Sequence, residues 1–222
     1  VINMALSKVD YNSLNVTAAA SKALKWNSTP DGFETGDLGG AMTLLSTSTA
    51  SGASDISFTS DIDSTYSEYI FKFYDMNPAT DDCSFSFQGS IDGGSNYNVT
   101  ATTTAFVALN YEDGTSASLS YSTGQDQAQA TGFINLAHAV GNGADESASG
   151  YLHLFNPSST TFVKHFISRI NSYHSGNRSY DNFRSGYFNN TNDIDAVQFD
   201  FRLVSDGSSD TFDGVIKMYG VS

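Results

Sequence analysis

At 222 residues the chain is long enough to bury one good core, and its 24 acidic against 10 basic side chains leave a formal charge of −14 that repels phosphate and excludes nucleic acid as a partner. A single cysteine, Cys83, excludes an intrachain disulfide, and no apolar run is long enough to span a bilayer as a helix. The opening residues lack the basic flank and apolar stretch of a secretory signal, so the expectation is a soluble chain with no membrane insertion.

Residues 1–41 read as an N-terminal extended arm. Apolar anchors are sparse here: Tyr11, Leu14, Leu24, Trp26 and Phe33. Ala18 to Ala23 reads as a short helix, Asn27-Ser-Thr-Pro-Asp-Gly32 as a turn and Asp37-Leu-Gly-Gly40 as a joint. Such a segment suits docking on a neighbouring subunit, or lying along its own domain.

From Met42 the pattern becomes strands and turns, and residues 42–222 are expected to form a β-sandwich domain. Met42 to Ser46 and Ile56 to Thr59 read as short strands around a loop from Thr47 to Ser54. Tyr66 to Met76 is the central strand, with Tyr69, Phe71 and Phe73 on one face and Glu68, Ile70, Lys72 and Tyr74 on the other. Cys83 to Ile91 alternates in the same way and places the thiol among core residues. Asp92-Gly-Gly-Ser-Asn96 reads as a hairpin turn and Val99 to Leu109 as a strand. Ser116 to Ser149 is the least legible part, with only Phe133 to Leu136 alternating. Strands resume at Gly150 to Phe155 and Thr160 to Tyr173, a polar stretch runs from Ser175 to Phe183, and Ala196 to Val204 and Phe212 to Val221 close the chain. Roughly ten strands with turns between them imply an all-β, antiparallel two-sheet sandwich, jelly-roll-like in class.

Motifs for chemistry are sparse. The sequence has no Gly-x-Ser-x-Gly elbow, no His-Glu-x-x-His and no paired cysteines, so no catalytic residue and no cofactor is assigned. Carboxylates for glycoside cleavage are plentiful, but most fall in turns that Asp caps through its own side chain. Asp61-Ile-Asp63 recurs as Asp193-Ile-Asp195 ahead of major strands; these four are weak calcium candidates, and strand-entry turns are the preferred reading. The best sign of a binding surface is the group Tyr173, His174, Arg178, Tyr180, Phe183, Arg184 and Tyr187, with Phe188 beside it, a mixture suited to stacking on sugars or, preferably, to a protein interface.

Several passages resemble structural proteins of tailed phages, of the type found in phages of marine bacteria and often described as tail-fibre or virion proteins. They are Ile56 to Tyr66, Tyr69-Ile-Phe-Lys-Phe73, Phe87-Gln-Gly-Ser-Ile-Asp-Gly-Gly94, Leu152 to Ser159 and Gly214-Val-Ile-Lys-Met-Tyr-Gly220. The resemblance covers most of Met42 to Val221. It implies a virion part made in the bacterial cytoplasm, a tail fibre, head fibre or capsid decoration without catalytic residues. It also implies other virion subunits as partners, a homo-oligomer with a trimer favoured, an arm that attaches the module to the particle, and a host surface glycan as an alternative partner.

Overall fold

The computed structural model describes residues 23–27, 29, 32–36 and 42–221. The chain divides into two compact units, Val1–Ala41 and Met42–Ser222. In the first, β1 (Ala23–Trp26) and β2 (Phe33–Gly36) form an antiparallel hairpin in which Trp26 and Phe33 face each other as register partners. Their rings stack at 4.4 Å, and both stay exposed along with Leu24. The Asn27 N–H to Gly32 carbonyl bond closes the expected turn. Ala23 opens a strand instead of ending a helix; the rest of the expected helix, Tyr11, Leu14 and the joint at Asp37 to Gly40 lie outside the described residues.

The second unit holds thirteen strands in one antiparallel network, β3 (Met42–Ala53), β4 (Asp55–Phe58), β5 (Glu68–Pro78), β6 (Cys83–Ser90), β7 (Ala101–Tyr111), β8 (Ala117–Tyr121), β9 (Ile134–Val140), β10 (Ala148–Phe155), β11 (Lys164–His174), β12 (Arg178–Phe188), β13 (Ala196–Leu203), β14 (Ser209–Asp210) and β15 (Phe212–Val221). The network curls into two unequal layers. One runs β3-β15-β5-β10-β11-β12-β7-β8; in the other β9, β6 and β13 lie side by side, with β4 and β14 sharing the far edge of β13. A single pairing, His174 with Val140, joins the layers at one rim. The expected sandwich is therefore one sheet folded on itself.

The two-residue period of β5 places Tyr69, Phe71 and Phe73 in the core and leaves Lys72 and Tyr74 outward. Phe71, Phe73 and Phe166 of the wide layer meet Phe85, Phe87 and Phe199 of the narrow one, with ring centroids 5.0–5.2 Å apart for Phe73–Phe85, Phe87–Phe166 and Phe71–Phe199. Burying one such ring contributes about 1.5–3 kcal/mol, against 0–1 for an exposed ion pair, so the ring layer outweighs the surface charges in holding the fold.

Three segments depart from expectation. β3 continues through the expected loop at Thr47, because β15 offers it partners from Met42 to Ala53. β12 is one unbroken strand from Arg178 to Phe188, where the sequence reads as a polar stretch to Phe183 and a short strand from Gly186 to Phe188, because β11 and β7 flank its whole length. The Asp92–Asn96 turn does not make a hairpin: β6 and β7 belong to different layers, so the turn carries a crossover. The least legible stretch, Ser116 to Ser149, holds β8, β9 and the start of β10, and its irregular part, 122–133, lies over the outward side of β6, where Gln88 Nε2 donates to the Thr131 (3.2 Å) and Gly132 (2.8 Å) carbonyls. This cover makes β6 buried on both faces.

Candidate functional site

The outward face of the eight-stranded layer carries a row of register partners that crosses seven strands: Tyr121, Phe106, Phe183, Arg169, Tyr151, Lys72 and Lys217. Phe106 and Phe183 stack at 4.7 Å and 9°, and the Arg169 guanidinium lies 4.8 Å over Phe183 while donating to Asp181 at 2.7 Å. Beside the row, Leu119 is 72% and Ile167 51% exposed. His153 bonds Glu68 and packs edge-on against Tyr151 at 5.1 Å. A shallow depression of about 400 Å³ opens between Thr102, Thr104, His165, Ile167, Ser185 and Tyr187 on the same face. Alternation explains the pattern: in β11 and through most of β12 every second residue is buried, which leaves the side chains between them on the surface. Large exposed rings in such number mark a contact surface.

The predicted aromatic and arginine group is split by the same alternation. Phe183 and Tyr187 stand on the outward face, as does Tyr173, whose hydroxyl donates to Glu112 at 2.9 Å. His174, Arg178, Tyr180 and Arg184 sit on the opposite side of their strands and point between the layers. The group is therefore two sites back to back. Carrying the two-residue period of Thr160–Tyr173 through Phe188 would have separated them; the polar composition of the second strand hid that period. The residues missed altogether, Tyr121, Phe106, Arg169, Tyr151, Lys72 and Lys217, come from six different strands and meet only through register.

The inward half forms a polar band at one end of the core. The Arg184 guanidinium is 2% exposed and has no carboxylate partner among the described residues. It donates instead to the Asn135 (3.0 Å), Phe106 (3.3 Å) and Phe183 (3.1 Å) carbonyls and to Asn182 Oδ1 (3.2 Å), and burial pushes it down to about 10. His174 Nε2 lies 2.7 Å from Arg178 Nη2 and its Nδ1 3.0 Å from the Gly176 nitrogen, donors of which the neutral ring can accept only one; burial and then Arg178 push this imidazole down to about 4. Burial also holds the His138 imidazole below the usual range. Ser84 Oγ lies 3.2 Å from His138 Nδ1, a nucleophile-and-base spacing, but the serine is buried near the start of β6 and its oxygen lies 3.4 Å from the Ala139 N–H. The third member is engaged elsewhere, since Asp82 accepts from Ser175 Oγ at 3.2 Å.

Of the remaining candidates, Asp63 and Asp195 cap the backbone. Asp63 accepts from Thr65 N–H (2.7 Å) and from the Tyr69 hydroxyl (3.1 Å), and the Thr65 bonds hold its carboxyl below the usual range. Asp195 accepts from Gly93 N–H (3.0 Å), Asp61 takes φ +64° with Ser60 Oγ at 2.8 Å, and Asp193 lends its charge to the buried Lys164 ammonium. Among the described residues no three His, Cys, Asp or Glu side chains gather as a metal site. Cys83 is fully buried beside Asp210, and burial pushes its thiol up to about 12, which leaves it unreactive at neutral pH. No family model, curated protein or solved structure matches the chain.

Proposed function

We propose that the chain is a non-enzymatic structural subunit of a phage particle, assembling through its N-terminal segment and presenting the sandwich outward as a tail fibre, head fibre or capsid decoration. The observation that carries this reading is the presence of two exposed aromatic surfaces, the outward row of the wide layer and the Trp26–Phe33 hairpin, on a chain whose core is filled by packed apolar side chains. The resemblance of Ile56 to Tyr66 and Gly214 to Gly220 to phage structural proteins points the same way, and a lone buried thiol suits synthesis in a reducing cytoplasm. In this reading copies of the chain associate, as a trimer for a fibre, and other virion subunits are the partners. Particles made without the protein are expected to lack a fibre, knob or surface bump in electron micrographs; particles of unchanged outline that still package and infect refute the proposal.

A second reading, recognition of a host surface glycan, is favoured by the near-coplanar Phe106 and Phe183 rings beside Tyr151, flat apolar faces of the kind that stack on sugars. Glycan arrays probed with the intact oligomer are expected to give binding that Phe183→Ser abolishes. An array with no bound glycan removes this reading and leaves the structural role standing.

A further inference from the structure

The charge on the outward row is unevenly satisfied. Seven lysines and arginines lie between Met42 and Val221, and three of them, Lys72, Arg169 and Lys217, stand in the row itself. Arg169 is matched by Asp181. Lys72 and Lys217 are not: they are direct register partners on β5 and β15, and neither has a carboxylate within ion-pair distance among the described residues. Like charges directly opposite each other across two strands destabilise a sheet, and this chain has more than twice as many acids as bases from which a partner could have been supplied.

Each lysine leans instead over a tyrosine on the neighbouring strand, Lys72 over Tyr219 at 5.4 Å and Lys217 over Tyr74 at 5.6 Å. The four side chains form a crossed tetrad whose ammonium groups make no hydrogen bond to another described residue and whose rings fix where those ammonium groups stand. Beyond Lys72 the row continues through Tyr151, Arg169, Phe183, Phe106 and Tyr121. With strands about 4.8 Å apart, six steps from β15 to β8 make a track of about 29 Å running across the strands.

We propose that this track binds an extended acidic polysaccharide, with one carboxylate or sulfate group held by the Lys72, Lys217, Tyr74 and Tyr219 tetrad and sugar faces laid on Tyr151, Phe183 and Phe106. Charge density selects a sparsely charged glycan. The row offers two unmatched cations within an acidic molecule, so a polyanion with a phosphate at every unit meets more repulsion than attraction, whereas one anionic group among several neutral rings meets the lysines and the aromatics together. The proposal deepens the glycan reading above and needs nothing from the virion reading.

Affinity electrophoresis of the full chain through hyaluronan, κ-carrageenan and neutral agarose tests it and separates carboxylate from sulfate. At about 0.15 M ionic strength the screening length is about 8 Å, which mutes the distant carboxylates and spares contact pairs. Retardation by one of the charged polymers and not by agarose is expected. In Lys72→Gln/Lys217→Gln it should weaken roughly tenfold or more, the loss of about 1.4 kcal/mol. The double variant should keep the wild-type thermal midpoint or exceed it, since a like-charge pair has been removed. Retardation unchanged in the double variant, equal retardation by duplex DNA, or no retardation by either charged polymer overturns the proposal. Self-association that the double variant abolishes, without polymer binding, also overturns it and assigns the row to an acidic surface of a second copy.

Discussion

Phe199→Ala is expected to lower stability by about 3–5 kcal/mol and the thermal midpoint by roughly 10 °C. The Phe199 ring is fully buried and meets five others, Phe58 at 6.1 Å, Phe71 at 5.2 Å, Phe73 at 5.2 Å, Phe85 at 5.9 Å and Phe87 at 6.0 Å. It is the member of the narrow layer on which rings of β4, β5 and β6 converge, so truncation leaves a cavity lined by rigid rings held in two hydrogen-bonded layers that cannot collapse into it. Phe199→Leu, which keeps most of the volume, should cost less than half as much. Denaturant unfolding of both variants checks the order. Equal losses would mean that the layers close over the gap and that Phe199 is not the point of convergence.

Asp200→Asn is expected to stabilise the protein at pH 7, by up to about 3 kcal/mol, and to change the shape of its pH profile. Asp200 is the outward neighbour of Phe199 and Phe201, is 2% exposed, and pairs with Arg202 at 2.7 Å while its other oxygen has no partner. Burial raises its carboxyl to about 6, with Arg202 opposing. A raised carboxyl means that the folded state holds the proton more tightly than the unfolded one, so stability is gained as pH falls from about 6 towards 4.

His174 has the opposite sign. Its folded value of about 4 lies below the unfolded 6.5, so the stability of the neutral ring is present above pH 6.5 and is lost, by about 3 kcal/mol, as pH falls towards 4. The two slopes overlap and nearly cancel between pH 6 and 4. Wild type should therefore show a shallow acid limb there, and Asp200→Asn, with the carboxyl removed, a steep one. Midpoints measured across that window that fall in parallel for the two proteins would show that Asp200 is not the compensating group.

The sequence discloses what strict alternation can carry. Tyr69, Phe71 and Phe73 are core because aromatic residues recur at period two with no glycine or proline between them, and the buried Cys83 follows from the same logic. The period fails where buried positions are polar. Asn182 and Arg184 are as buried as the phenylalanines, yet nothing local distinguishes them from surface residues, because the acceptors that satisfy them come from β7, β9 and β11. The outward row is illegible for a different reason. It is a property of register between strands up to 145 positions apart, Lys72 and Lys217 among them, and no linear pattern encodes which residues stand side by side.

The place of β15 has a consequence during synthesis. This strand, the last in the unit, inserts between β3 and β5, the first strand and the central one. Until the ribosome has released Phe212 to Val221, the nascent chain holds two long unzipped margins, one of them a twelve-residue strand without a single charge to repel a neighbouring polypeptide. Completion of the sheet is thus deferred until β15 has emerged, and a chain cut before Phe212 is expected to leave the cell extract as insoluble material rather than as a shorter folded module.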